Sequence, residues 1–235
     1  TAVTLFILTG DVLVRTGLSR KFLDVAEALT QFAKGGFGSA TVLVCGMFAA
    51  ISGSDAAGAA AVGRMTIDRL VESGYPRPYA CALVAAGACT GILIPPSIAY
   101  IIIGLVLGIS ASTLFLAALI PGLLILTSIL VTNIVVNRIY GYEGGGNMSV
   151  SDYFRNLWKT LISGWYAFIV PGIIFYGLFS GKMTPTEAGA TAVIVTIVIG
   201  FILGTLRLSD FPAMLISSAK VNGIILPIIA FSLPL

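Results

Sequence analysis

The sequence predicts an all-α polytopic membrane protein, and three observations predict it. First, 57% of the 235 residues are hydrophobic and only 10% are charged, against roughly a quarter charged in soluble domains. Second, the apolar residues gather into charge-free runs at 35–54, 78–137, 160–181 and 188–206. A helical crossing takes about 20 apolar residues, so each shorter run fits one crossing and the long run fits two. Third, lysine and arginine collect at segment ends, as they do where loops meet water. The composition also excludes several classes. With no histidine, and with Cys45, Cys81 and Cys89 scattered through apolar segments, zinc, haem and iron–sulfur centres and a disulfide framework are not expected. A net charge of +3 spread over many loops is no nucleic-acid footprint. A phosphate-binding loop of the Walker type is missing from the sequence, so ATP hydrolysis is not expected of it.

The elements follow in order. Residues 2–14 read as the end of a spanning helix. Residues 15–34 place Leu18, Phe22, Val25, Ala26, Leu29 and Phe32 at helical spacing between charges, the pattern of an amphipathic helix on the membrane surface. Residues 36–65 are apolar on both sides of Ser52-Gly53-Ser54-Asp55, and neither flank crosses alone by the usual length. Two short helices around a polar tip describe a re-entrant hairpin, tolerated at depth only where protein or water surrounds the tip. Residues 78–107 are interrupted at Thr90-Gly91-Ile92-Leu93-Ile94-Pro95-Pro96-Ser97. Two consecutive prolines remove two backbone donors, so this segment is expected to be a broken helix. A turn at 108–112 leads to a spanning helix at 113–137. A hydrophilic loop at 138–159 carries Gly144-Gly145-Gly146 as a flexible point. A second surface helix is expected over 151–161, capped by Ser151 or Asp152. Spanning segments follow at 162–179 and 188–206, the latter opened by Thr184-Pro185-Thr186-Glu187 as a capping box. The last segment, 211–235, is expected to be broken by Pro227 and Pro234. Both ends of the sequence lie inside apolar stretches, and no basic leader precedes the first, so it reads as an internal portion of a longer protein.

Charge supports the hairpin. If residues 36–66 enter and leave from the cytoplasmic side, Arg15, Arg20, Lys21, Lys34, Arg64, Arg69, Arg77, Arg138, Arg155, Lys159 and Arg207 share that face. Only Lys182 falls in a loop on the other face. The positive-inside rule favours this skew, and a full crossing at 36–66 would split the charges.

Two features carry candidate chemistry. Asp55 sits in an apolar stretch, and a carboxylate at membrane depth is a functional-site hypothesis by default. Ser52, Gly53 and Ser54 beside it offer hydroxyl and carbonyl oxygens, which suit a hard cation. A helix starting near Asp55 also offers amides to an anion. The alternative is a plain loop and helix cap at the water surface. At the second feature, Pro95 and Pro96 free the carbonyls of Gly91 and Ile92, and Thr90 and Ser97 add hydroxyls; the alternative is a ligand-free kink. A re-entrant tip and a broken helix in adjacent segments are together the arrangement of a secondary transporter site. Small residues at Ala80, Ala85, Gly87, Ala88 and Gly91 read as helix packing. Lys220 and Asn222 are further polar residues in an apolar segment.

At these residues the chain resembles the large membrane subunit of tripartite ATP-independent periplasmic (TRAP) transporters. The resemblance rests on Ile51-Ser52-Gly53-Ser54 with the alanine-rich stretch at 56–63; on Gly74-Tyr75-Pro76, the block from Thr90 to Ser97, Leu114-Phe115 and Pro121-Gly122; and on Thr184-Pro185-Thr186-Glu187-Ala188. It implies an elevator-type fold with inverted repeats, driven by sodium. It also implies a periplasmic substrate-binding protein, a small membrane subunit and an organic acid substrate of the sialic acid or C4-dicarboxylate class, at the bacterial inner membrane. Carried over, the sodium ligands are Ser52, Gly53, Ser54, Gly91, Ile94 and Pro95, and the substrate residues are Asp55, Thr90 and Ser97. Asp55 stands where the family more often has a small or hydroxyl residue. The implied organisation is scaffold and surface helix at 1–35, half a transport domain at 36–110 with the hairpin at 36–66 and the broken helix at 78–107, scaffold and loop at 111–163, and the start of a second repeat at 164–235. The family's second hairpin and second proline break are not in this sequence. The rival readings are another ion-coupled carrier, a channel or a non-transporting membrane scaffold. An intramembrane enzyme would need a catalytic dyad, and none is evident in the sequence.

Overall fold

The computed structural model describes residues 2–144 and 150–232, and among these it is built from helices and connecting turns. The helices are α1 (Ala2–Arg15), α2 (Leu18–Thr30), α3 (Gly36–Ser52), α4 (Asp55–Glu72), α5 (Arg77–Ala88), α6 (Ile98–Leu107), α7 (Ala111–Tyr140), α8 (Val150–Gly164), α9 (Ile169–Phe179), α10 (Pro185–Ile202) and α11 (Phe211–Ser232). Helix α3 lies at the centre, packed against α1, α2, α4, α5 and α7, while α1 packs on α10 and α11. Phe6, Leu13, Phe22, Phe48, Phe115 and Ile174, drawn from five helices, close the main core.

Helix α7 shows why this is a membrane protein. Its inward positions Phe115, Ala118, Gly122, Asn133 and Asn137 recur at helical spacing. Its outward face carries Leu116, Ile120, Leu124, Val131 and Ile139, each more than half exposed. Apolar outside and partly polar inside is the reverse of a soluble helix, and such a continuous apolar face needs lipid or protein against it. Among the described residues three helical stretches are long and apolar enough to cross a bilayer: Ala111–Tyr140, Ser151–Phe179 and Pro185–Ile202. Helices α1 and α2 would make a fourth span only if taken together, and they are bent by 74°. Gly17, at φ 73, makes the turn between them. Helix α2 in turn carries α8, through Tyr153 Oη donating to the Leu29 carbonyl at 3.2 Å and Asn156 Nδ2 to Gln31 Oε1 at 2.9 Å.

Several expected boundaries hold and several move. The capping box at Thr184 and Glu187 forms with both of its hydrogen bonds, and Pro185 opens α10. The break between α3 and α4 is narrower than expected: Ser52 ends one helix, Asp55 begins the next, and only Gly53 and Ser54 lie between. Helix α8 already runs at Val150, and Asp152 pairs with Arg155 at 2.8 Å, so Ser151 and Asp152 lie in the first turn and are not its cap. Gly145 and Gly146 of the expected flexible point, and Pro234, lie outside the described residues. Pro227 does not break α11, which continues to Ser232. A lone proline removes a single donor from a long helix, and neighbouring groups in membrane helices absorb that loss.

Candidate functional site

The site is built where the turn between α3 and α4 meets the interruption between α5 and α6. Gly53 has φ +62, a left-handed conformation open to glycine at little cost. Its carbonyl accepts from Ile98 N at 3.2 Å, so the tip caps an otherwise unpaired first amide of α6. A methyl group on Gly53 would stand 2.5 Å from the Pro96 carbonyl oxygen. On the other side of the tip, a methyl on Gly91 would meet Asp55 N at 3.0 Å and the Ser54 carbonyl carbon at 3.1 Å. Two glycines thus let two stretches of irregular backbone touch, and the sequence-predicted Ser52, Gly53, Ser54, Asp55 and Gly91 come together. Ser52, Gly53, Thr90, Gly91, Ile94, Pro95 and Ser97 are all buried, while Ser54 and Leu93 are half-buried and Ile92 is exposed.

The hydrogen bonding sorts the oxygens. Ser54 Oγ is the N-cap of α4, accepting from Ala57 N at 3.4 Å. Asp55 Oδ1 accepts from Ala56 N at 2.7 Å, an acid in the positive first turn of a helix. Ser54 is therefore the cap of α4 and Asp55 stands in its first turn; both are half-buried, while Ser52 and Gly53 beside them are buried. Thr90 Oγ1 donates to the Gly87 carbonyl at 2.7 Å, which leaves it only lone pairs to offer. Backbone amides reach the carbonyl of Thr90 from Leu93 and Ile94. Among the described residues none reaches the carbonyls of Gly91, Ile92, Leu93, Ile94, Pro95 or Pro96. Among the described residues Ser97 Oγ, fully buried, has no hydrogen-bond partner, an arrangement that costs about 1–3 kcal/mol unless a ligand meets it. A buried hydroxyl without a partner, beside a row of unclaimed carbonyls, is a donor set that suits a hard cation.

This gives a discriminating prediction for Ser97→Ala. If the hydroxyl has no ligand, its loss is neutral or stabilising in every condition. If it meets one, thermal stability in ligand-free buffer is unchanged or higher, while the added stabilisation by sodium and the organic anion together falls. Melting curves of the purified protein with neither, with sodium alone and with both read the difference.

Sequence reasoning missed the supports of this site. A methyl on Gly10 of α1 would lie 3.2 Å from Ser52 Cβ, and one on Gly122 of α7 would lie 3.1 Å from Leu93 Cβ. These helices brace the tip and the interruption from either side. At the base of the hairpin, Glu143 takes hydrogen bonds from Phe37 N at 2.8 Å and from the Tyr75 hydroxyl at 2.9 Å. Asn133 ties α7 to the Gly35 carbonyl at 3.2 Å and to Ser39 Oγ at 3.1 Å. Pro121-Gly122 was visible as a motif; the others bridge residues far apart in sequence, with no local pattern to announce them. Asn222 is buried and accepts from Thr4 Oγ1 at 3.0 Å, whereas Lys220 is exposed.

Helices with apolar outer faces, around a buried tip and an interrupted helix, define a helical integral membrane protein. The signature of the tripartite ATP-independent periplasmic transporter, DctM component, matches residues 1–233, and the chain belongs to that family. It is 34% identical to the C4-dicarboxylate TRAP transporter large permease protein DctM of Pseudomonas aeruginosa, over 97% of this chain and 53% of that protein. It is 31% identical to the sialic acid TRAP transporter large permease protein SiaM of Vibrio cholerae, over 95% and 52%. It is 33% identical to the isethionate TRAP transporter permease protein DctMQ of Oleidesulfovibrio alaskensis, over 98% and 36%. The chain spans about half the length of the first two relatives.

Proposed function

We propose that this chain supplies half of the translocation site of a sodium-coupled carrier of organic anions. The observation that carries the reading is the contact of the α3–α4 tip with the α5–α6 interruption, where the buried Ser97 hydroxyl and the carbonyls from Gly91 to Pro96 have no partners among the described residues. In this reading Ser52, Gly53, Ser54, Gly91, Ile94 and Pro95 hold sodium with backbone and hydroxyl oxygens. Sodium brings positive charge to the tip, and an anion then binds beside it. Asp55, Thr90 and Ser97 line that substrate position. Thr90 has already donated its proton, so it supports the cation more readily than it donates to an anion. Helices α3 and α4 form a re-entrant hairpin that moves with the substrate in an elevator-type cycle. A periplasmic substrate-binding protein delivers the anion, and a small membrane subunit partners this one in the bacterial inner membrane. The relatives' names span a dicarboxylate, a sugar acid and a sulfonate, which supports an organic acid as the substrate class.

The test is uptake into proteoliposomes holding the full-length complex and its binding protein, with and without an inward sodium gradient. Uptake should need sodium and should fall at least tenfold in Ser54→Ala and Thr90→Ala, the loss of about 1.4 kcal/mol or more of ion binding. Uptake indifferent to sodium would remove the coupling mechanism, and a chain that passes no substrate would point to a scaffold.

A further inference from the structure

Beside the hairpin tip lies a cavity of about 450 Å³ between α1, α4 and α11. Ser52 and Ser54 line it at the tip, Ala60 and Arg64 along α4, and Asp11 and Arg15 along α1. Ser54 and Arg64 are ten residues apart on one helix, so the cavity follows α4 for about 15 Å at helical rise. Alanine on the α4 wall, where a larger side chain would fill the space, keeps it open. Its charges are unbalanced. Asp11 accepts from Ser218 Oγ at 2.9 Å, and Arg64 Nε donates to the Ala60 carbonyl at 2.9 Å. Among the described residues neither Arg15 nor Arg64 makes an ion pair, while Lys21, Arg69, Arg77 and Arg155 all do. Two guanidinium groups against one carboxylate leave the cavity with a net positive charge.

We infer that this cavity is a release subsite for the transported anion: Arg15 and Arg64 hold its carboxylate or sulfonate after it leaves the hairpin tip, and Asp11 accepts from a substrate hydroxyl. The inference rests on the proposed transport function and adds to it a second station on the arginine-rich face. A planar, always charged guanidinium suits an oxoanion through paired N–H donors. A cavity with one sign of excess charge raises the local concentration of the opposite ion. Because both arginines are exposed, their hold is weak, as a station on a route out requires.

The test uses the full-length complex in proteoliposomes, with whichever of succinate, N-acetylneuraminate and isethionate the wild type takes up as the probe. Half-saturation is measured separately for substrate presented on each side, by uptake and by counterflow. In the Arg15→Gln/Arg64→Gln double variant, half-saturation from the arginine side should rise about five- to tenfold. From the opposite side it should not change, and lysine at both positions should restore most of the affinity. Ala60→Trp, which fills the cavity, should slow release while leaving stabilisation by sodium intact. Equal shifts on both sides, or no shift on either, would overturn the inference while leaving sodium-coupled uptake in place. So would a loss that follows the anionic lipid content of the vesicles, since it would assign the arginines to lipid phosphates. Wild-type vesicles without sodium-dependent uptake would instead remove the transport reading, and this inference with it.

Discussion

Replacing Gly53 with alanine is expected to abolish sodium-dependent uptake in a protein that still reaches the membrane. Two costs add at this position. The left-handed backbone, φ +62, costs an alanine about 1–2 kcal/mol. The new methyl would also stand 2.5 Å from the Pro96 oxygen and 3.2 Å from Ile98 N. Those neighbours are backbone and cannot rotate aside, so the tip must back away from the interruption. The Ile98–Gly53 hydrogen bond and the shared pocket of oxygens are lost together. Gly108 separates the two costs. It has nearly the same φ, +67, but an added methyl meets nothing within 4 Å. Gly108→Ala should therefore pay the strain and keep near wild-type uptake. Gly91→Ala, with contacts of 3.0–3.1 Å, should fall between them. The check is uptake at several sodium concentrations. A Gly53→Ala protein with wild-type sodium affinity would show that the contact between tip and interruption is packing alone.

The two halves of this site were legible in the sequence because each is a local conflict. Ser-Gly-Ser-Asp inside an apolar run and Pro95-Pro96 inside another are choices that a plain spanning helix would not make. The capping box at Thr184 was legible for the same reason, since its signature occupies four consecutive residues. What joins the halves was not legible. That Gly53 reaches Pro96 and Gly91 reaches Asp55 depends on how two helix pairs lean together, and no periodicity encodes the angle. Pro227 shows the opposite failure. A proline was expected to break α11, yet the effect of one missing donor depends on the helix around it. Cavity charge was equally hidden, because Arg15 and Arg64 read singly as ordinary segment-end residues.

Glu143→Ala is expected to destabilise the fold by about 3 kcal/mol or more, from the loss of charge-assisted hydrogen bonds and the exposure of unpaired donors. The carboxylate accepts from Phe37 N at 2.8 and 3.1 Å and from Gly38 N at 3.4 Å. These are first-turn amides of α3, which have no partner within their own helix, and a negative charge there also meets the positive end of the helix dipole. The Asn137 side chain grips the Glu143 backbone at both ends, at 2.7 and 2.8 Å, so the carboxylate is held in place by the end of α7. Glu143→Gln should recover part of the loss, because its amide oxygen still accepts while its nitrogen faces donors. Tyr75 provides a second readout in the same network. Burial raises its phenol above the ordinary value, and the charge and hydrogen bond of Glu143 raise it further. The folded state therefore keeps this proton where the unfolded chain loses it. A raised value contributes stability that is complete below pH of about 10 and is lost as pH rises beyond it. Melting of the purified protein between pH 8 and pH 11 should show this decline, and Tyr75→Phe should flatten it while lowering stability at pH 8. An unchanged slope in Tyr75→Phe would mean that the phenol does not sit against Glu143, and the mooring of α7 to the hairpin base would rest on Asn133, Asn137 and the first-turn amides that Glu143 accepts from.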